Sequence, residues 1–274
     1  MEEPIISLQG IKKNYGNHPV LTSVDLTVNR GDIFGVVGKN GAGKTTMFKI
    51  ILGLSDSNGG ILRIGNVGQG APSKSELAAG REKIGFFVGF NFFPYLTGRQ
   101  NLEYYRTLKR IRDKGEVDRV LKIVELDKAK GHVKGYSMGM RQRLGIANAM
   151  LGSPEILILD EPTNGLDPQG IADIRQLLKK LNEEHGITVI VSSHMLGELQ
   201  NTAHRFAIIH NGTVVKVITQ EDLAAQNKVV QLSVDDLPRA KQVLAEAGIQ
   251  VLGEVQNSRS LEEYYFQLVG GEKQ

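Results

Sequence analysis

The stretch Ile33-Phe34-Gly35-Val36-Val37-Gly38-Lys39-Asn40-Gly41-Ala42-Gly43-Lys44-Thr45-Thr46 decides the fold. Its first five residues form a continuous apolar run, the mark of a short strand covered on both faces. The next eight fit G-x-x-x-x-G-K-[ST] at every fixed position. From Lys44 to about Leu54, Met47, Phe48, Ile51 and Leu52 recur on one side, as in a helix packed by one face. Strand, glycine loop and helix, in that order, are the context the pattern demands. Glycines let the backbone curl so that successive N–H groups point at one anion, and the helix turns its positive end to the same place. Lys44 supplies a point charge for β- and γ-phosphates, and the Thr45 hydroxyl is a ligand for Mg²⁺. Gly38, Lys39, Asn40, Gly41, Ala42, Gly43, Lys44, Thr45 and Thr46 therefore read as an ATP-binding loop. The competing reading is a chance glycine turn, and the flanking strand and helix argue against it.

Downstream, Ile156-Leu157-Ile158-Leu159-Asp160-Glu161 reads as a central strand whose end projects two acids. Many strands end in acids, so the segment gains its meaning from the loop upstream. Asp160 is placed to hold Mg²⁺, directly or through water, and Glu161 to polarise an attacking water.

The rest of the chain alternates strands and helices, which implies a largely parallel sheet. Ile5–Leu8 and Val24–Val28 alternate apolar and polar residues, as half-buried strands do. Ile61–Ile64 and Ile84–Val88 read as strands, and Gly65 to Gly80 as a glycine-rich surface loop. Apolar residues recur at helical spacing over Gly98–Ile111 and Val117–Leu126, and a further helix is expected over Ser137–Leu151. Ile171–Glu184 is an amphipathic helix and Thr188–Ser192 a strand. Asn211-Gly212 joins Phe206–Ile209 to Thr213–Ile218 as a hairpin. Beyond it, strands at Val229–Val234 and Ile249–Val255 alternate with helices at Pro238–Ala247 and Leu261–Val269. That last segment holds no catalytic constellation.

Composition narrows the class. Hydrophobic residues make up 41% and charged residues 23%, ordinary values for a soluble globular chain. The net charge of +3 is too small to argue for nucleic acid. The chain has no cysteine, which excludes disulfides and thiolate metal sites. The opening MEEPIISLQG lacks the basic and apolar parts of a signal peptide. No apolar run approaches the roughly 18 residues of a membrane span. Any membrane role is expected to come through a partner.

Three further segments fix the family. Tyr136-Ser137-Met138-Gly139-Met140-Arg141-Gln142-Arg143 precedes the acidic strand, Asn164-Gly165-Leu166-Asp167-Pro168 follows it, and Val191-Ser192-Ser193-His194 comes next. In this order, and up to about Ile218, the chain resembles the ATP-binding subunit of ABC transporters. The resemblance implies a P-loop NTPase of α/β class with a largely parallel sheet core, an N-terminal antiparallel β subdomain and a helical insertion at about 91–152. That ATPase domain spans 1–220, and a small α+β extension fills 221–274. It implies that Ser137–Met140 is the signature loop, with Ser137 and Gly139 at the nucleotide, that Asp167 lies in the D-loop, and that His194 is the switch histidine. Tyr15, within Lys13-Asn14-Tyr15-Gly16, takes the place of the aromatic that stacks on adenine. The histidines His18, His132, His185, His204 and His210 have no metal-ligand spacing.

Ser137 is also a good helix cap, and a helix N-terminus grips an anion. With one glycine loop and one signature per chain, the resemblance implies a head-to-tail dimer of ATP-binding subunits that closes on ATP. It further implies a separate transmembrane permease, a cytoplasmic place on the inner face of the membrane, and no nucleic acid. Met138 and Met140 replace the second glycine and the glutamine of the common signature, a form similar to exporters of the bacitracin- and lantibiotic-resistance branch. Leu261-Glu262-Glu263-Tyr264-Tyr265-Phe266 also looks like that branch. Gly89 stands where the family usually carries a glutamine, and Asn91 is the one amide nearby. The alternative function is a soluble ABC-type ATPase acting on ribosome or nucleic acid, a class that usually has two cassettes or a long coiled-coil insertion.

Overall fold

The computed structural model describes residues 3–65, 71–89, 92–200, 202–226, 234–249 and 251. In chain order its elements are β1 (Pro4–Tyr15), β2 (His18–Asn29), β3 (Ile33–Val37), α1 (Lys44–Ile51), β4 (Gly59–Ile64), α2 (Lys74–Glu82), β5 (Ile84–Phe87), α3 (Gly98–Leu108), α4 (Glu116–Ile123), α5 (Met138–Met150), β6 (Ile156–Leu159), α6 (Pro168–Glu183), β7 (Thr188–Ser193), α7 (Leu196–Leu199), β8 (Arg205–His210), β9 (Thr213–Thr219), α8 (Gln220–Gln226) and α9 (Leu237–Glu246). The chain divides into two units, Met1–Leu223 and Ala224–Gln274.

In the first unit, nine strands form one sheet in the order β4-β1-β2-β9-β8-β3-β7-β6-β5. From β8 through β3, β7 and β6 to β5, neighbours are parallel. The β4-β1-β2 end is antiparallel, and β9 closes back on β8 through the Asn211-Gly212 turn. The parallel strands are short and buried on both faces, as continuous apolar runs require. Their side chains alternate between two cores. Val37, Leu157, Leu159, Val189 and Val191 pack with Leu102, Leu144 and Leu178 on the side of α3, α5 and α6. Phe34, Val36, Ile158 and Ile190 pack with Met47 and Phe48 of α1 and with Leu8 and Leu26. Each such side chain, taken out of water, stabilises the fold by about 1.5–3 kcal/mol. All five β3 residues are buried, so the loop at the strand's end leaves a fixed platform.

The stretch read as a surface loop between Gly65 and Gly80 differs. Residues 71–73 are irregular, but Lys74–Glu82 is a helix. Ser73 Oγ accepts from the Glu76 N–H while the Glu76 carboxylate accepts from the Ser73 N–H, a reciprocal cap that starts α2. Gly80, the last residue of that stretch, serves close packing, since a Cβ there would stand 2.8 Å from Ile64 Cβ. Arg81 then donates to the Ile50 and Ile51 carbonyls, which end α1.

The helices α3, α4 and α5 follow β5. Thr97 and Gln100 form the same kind of cap at the start of α3. Leu102, Val117, Val120, Leu121 and Leu144 join the three helices to one core. Buried Asn101 fastens the preceding loop: its side chain accepts from the Phe93 N–H and donates to the Phe93, Leu96 and Thr97 carbonyls.

In the second unit, α9 begins at Asp236, whose carboxylate accepts from the Arg239 N–H, with Pro238 in its first turn. The expected strands at Val229–Val234 and Ile249–Val255 and the helix at Leu261–Val269 lie outside the described residues, except for Val234, Ile249 and Val251. Asn91 and the Leu261–Phe266 tail also lie outside them. No described helix is long and apolar enough to cross a membrane.

Candidate functional site: a phosphate-binding loop facing two carboxylates

The site stands at the ends of β3, β6 and β7, adjacent parallel strands whose carboxyl ends share one edge. From β3 the chain turns at Gly38 into the glycine loop and enters α1 at Lys44. Two glycines there are required by space and by backbone. A Cβ on Gly38 would stand 2.4 Å from the Ile209 carbonyl oxygen. Gly43 has φ +107°, and a Cβ on it would meet Leu21 Cδ2 at 2.5 Å. Val20, Asn40, Gly41, Ala42, Gly43, Lys44, Thr45, Thr46 and Glu161 line an open concavity of about 330 Å³.

Lys44 is 5% exposed and its ammonium is shared. It donates to the Gly38 carbonyl at 2.5 Å and to the Lys39 carbonyl at 3.4 Å, and it pairs with Glu161 Oε1 at 3.1 Å. The other carboxylate oxygen of Glu161 lies 2.6 Å from His194 Nδ1. Burial pushes the Glu161 carboxyl up, but hydrogen bonds and charge from His194 and Lys44 outweigh it and hold the group below the ordinary glutamate range. The carboxylate is therefore ionised at neutral pH and His194 Nδ1 carries the donated proton. Glu161 also takes φ +53°, a left-handed conformation that costs a residue with a Cβ. Its N–H donates to Ser192 Oγ at 2.9 Å, which fixes that conformation.

Asp160 meets Thr45 through a 2.6 Å hydrogen bond from Thr45 Oγ1 to Oδ2. Its second oxygen accepts from Ser192 Oγ at 2.6 Å. Thr45 and Asp160 thus present hard oxygen donors to one point, the donor set Mg²⁺ takes when substrate phosphates complete its shell. Among the described residues no group of three or more His, Cys, Asp or Glu forms a protein-only metal cage. These residues fit a nucleotide-bound Mg²⁺.

The remaining sequence-derived residues stand elsewhere in the same unit. Ser137 caps α5, its Oγ accepting from the Met140 N–H at 3.2 Å. Asp167 caps α6 through the Gly170 N–H at 2.9 Å. A Cβ on Gly139 would stand 3.9 Å from Leu166 Cδ2, so the Ser137–Met140 loop and the Leu166-Asp167 turn adjoin. Tyr15 ends β1 with 52% exposure, and the Lys13 ammonium lies 5.0 Å from its ring centre. Tyr15, Ser137, Gly139 and Asp167 are not among the residues that line the concavity. Sequence reasoning missed Ser192, which binds both Asp160 and the Glu161 backbone. The signal was the paired serines before His194, whose side chains alternate to opposite faces of β7.

A glycine loop on a helix N-terminus, a strand-end carboxylate against its threonine and a second carboxylate held by a histidine define a nucleoside triphosphatase of the P-loop class. Residues 21–164 match the family described as ABC transporter, and the chain belongs to that family. It resembles the bacitracin transport ATP-binding protein BcrA of Enterococcus faecalis, at 38% identity over 88% of this chain and 78% of the relative. It resembles BcrA of Bacillus licheniformis at 34% identity, over 97% of this chain and 98% of the relative. Among solved structures, the dimeric bacterial ABC transporter cassette MJ0796 matches with a TM-score of 0.68 and 32% identity, over 78% of this chain and 98% of that one. The protein is accordingly an ATPase of the branch that includes the bacitracin transport subunits.

Proposed function

We propose that this chain powers the export of antimicrobial peptides, bacitracin-like ones among them, through a separate membrane permease. The observation that carries the reading is the Lys44–Glu161–His194 chain of contacts beside the Thr45–Asp160 pair, in a sequence that matches a bacitracin transport subunit over 97% of its length.

Loop N–H groups and Lys44 bind the phosphates, and a phosphate that reaches Lys44 competes with Glu161 Oε1 for the same ammonium. Glu161, held by His194, then accepts a proton from the water it orients. The water oxygen bonds to the γ-phosphorus as the bond from that phosphorus to the β-phosphate oxygen breaks, giving ADP and phosphate. Thr45 and Asp160 would hold Mg²⁺, which neutralises charge building on the phosphate oxygens. Tyr15 supplies a ring face for adenine.

In this reading Ser137 and Gly139 serve the nucleotide of a second copy, and Asp167 lies at the same interface. The aromatic surface of Phe92, Phe93, Tyr104 and Tyr105, whose rings meet edge to face, is offered to the permease at the inner face of the membrane. ATP drives the cycle only if it binds the closed pair better than the open one. The test is sedimentation of the Glu161→Gln chain with ATP and Mg²⁺. A species of about twice 30.0 kDa supports the reading, and a monomer with ATP bound contradicts it. In cells, loss of bacitracin tolerance on deletion of the gene supports the substrate class, and unchanged tolerance of every peptide antibiotic tried opposes it.

A further inference from the structure

The Glu161–His194 contact joins two turns, one after β6 and one after β7. The β6–β7 ladder ends at Leu159 and Val191, and beyond it Ser192 Oγ bonds Asp160 and the Glu161 N–H. A third carboxylate, Glu198 on α7, lies behind them, 7% exposed. Its Oε2 accepts from Ser193 Oγ at 2.6 Å and from Thr163 Oγ1 at 2.8 Å. Thr163 is two residues past Glu161 and Ser193 is one before His194. Both hydroxyl residues are buried, at 3% and 0% exposure. Ser193 Oγ in turn accepts from the Met195 N–H at 3.0 Å, so the hydroxyl that Glu198 holds also shapes the backbone around His194. The short helix is tied down from the other side, where Arg175 of α6 donates to the Gly197 and Glu198 carbonyls.

A carboxylate withdrawn from water is retained only where its hydrogen bonds repay the loss. Here one oxygen takes both turns at once. We propose that Glu198 is a positioning residue for hydrolysis: it fixes the turn bearing Glu161 and the turn bearing His194 against one point, and so sets the contact between them. It touches no nucleotide and transfers no proton. The inference rests on Glu161 being the group that activates the water.

Its role differs from simple support in what it predicts. Removing Glu198 should act through His194, so the two losses should not add. ATP turnover of the full chain is compared for wild type, Glu198→Ala, His194→Ala and the double variant, with Glu161→Gln alongside. We expect Glu198→Ala to lower kcat about 10-fold or more with KM for ATP within about twofold, and to cost less than about twofold further when His194 is already Ala. Glu198→Gln keeps an oxygen for both hydroxyls and should stay within about threefold of wild type. Should Glu198→Ala not fold, the same cycle is run with Ser193→Ala, which removes the hydroxyl that Glu198 holds. Wild-type turnover in Glu198→Ala, losses that add in full, a rise in KM matching the fall in kcat, or a Glu198→Gln chain as weak as Glu198→Ala would each overturn the assignment. A Glu161→Gln chain with normal turnover would instead remove the base on which it rests.

Discussion

His194 Nδ1 and Glu161 Oε2 stand 2.6 Å apart, although 33 residues separate them in the chain. Lys44 holds the other oxygen of the same carboxylate at 3.1 Å, so one acid is gripped by a strand-end histidine and by the phosphate-loop lysine. The carboxylate's ionisation therefore depends on two partners whose own places are set by β7 and α1.

The first consequence concerns pH. Burial raises the Glu161 carboxyl, while His194 and Lys44 together bring it below the ordinary glutamate range. A lowered folded-state value means that this group stabilises the fold above the unfolded value, about 4.3, and that the contribution is lost as pH falls through the folded value. A carbon-13 NMR titration of Glu161 should give a midpoint below the usual carboxylate range. In His194→Ala the midpoint should move upward, because a lowering partner is gone and burial stays. An unmoved midpoint would contradict the coupling.

Ser192 orients Asp160 and the Glu161 backbone at once. Outer partners of metal-binding carboxylates typically carry a 10- to 100-fold share of metal affinity. Ser192→Ala should thus raise the Mg²⁺ concentration for half-maximal ATPase activity by about 10- to 100-fold. Titration of turnover with Mg²⁺ checks this, and an unchanged half-saturation would remove Asp160 from the metal.

Asn101 makes four hydrogen bonds to the backbone between Phe93 and Thr97. Asn101→Ala leaves buried partners unsatisfied, at a cost of about 2–3 kcal/mol. Urea denaturation should show that loss, and limited proteolysis should cut the Phe93–Thr97 segment faster than in the wild type. Equal stability and equal cutting would mean that α3 alone holds the loop.

Tyr15 is half exposed beside Lys13. Stacking of a base on an aromatic ring is worth roughly 1–3 kcal/mol, so Tyr15→Ala should weaken ATP binding about 5-fold or more while inorganic triphosphate binds as before. Equal loss for both ligands would place Tyr15 in packing rather than at adenine.

Much of this was legible in the sequence because it is local. The apolar run Ile33–Val37, the glycines after it and the acids after Leu159 each announce their own strand end. Ser137 stands as a helix cap ahead of a periodic segment, and it caps α5 in the structure. What escaped depends on tertiary contact. The helix at Lys74–Glu82 hides in a polar, glycine-containing stretch and forms because Ser73 and Glu76 cap each other and Gly80 fits against Ile64. Nothing local marks Glu198, because its partner Thr163 lies 35 residues upstream. Strands β1 and β2 run to 12 residues each, longer than their alternation suggests, because register shifts break the pattern while pairing continues.

Hydrolysis turns on Glu161 as the group that activates water, and the most direct measurement takes ATP binding and ATP turnover side by side in Glu161→Gln. The change leaves Lys44, Thr45 and Asp160 intact, so binding should stay within about threefold of wild type while turnover falls by on the order of 10²–10⁴. Turnover close to wild type in a chain that still binds ATP would contradict the account.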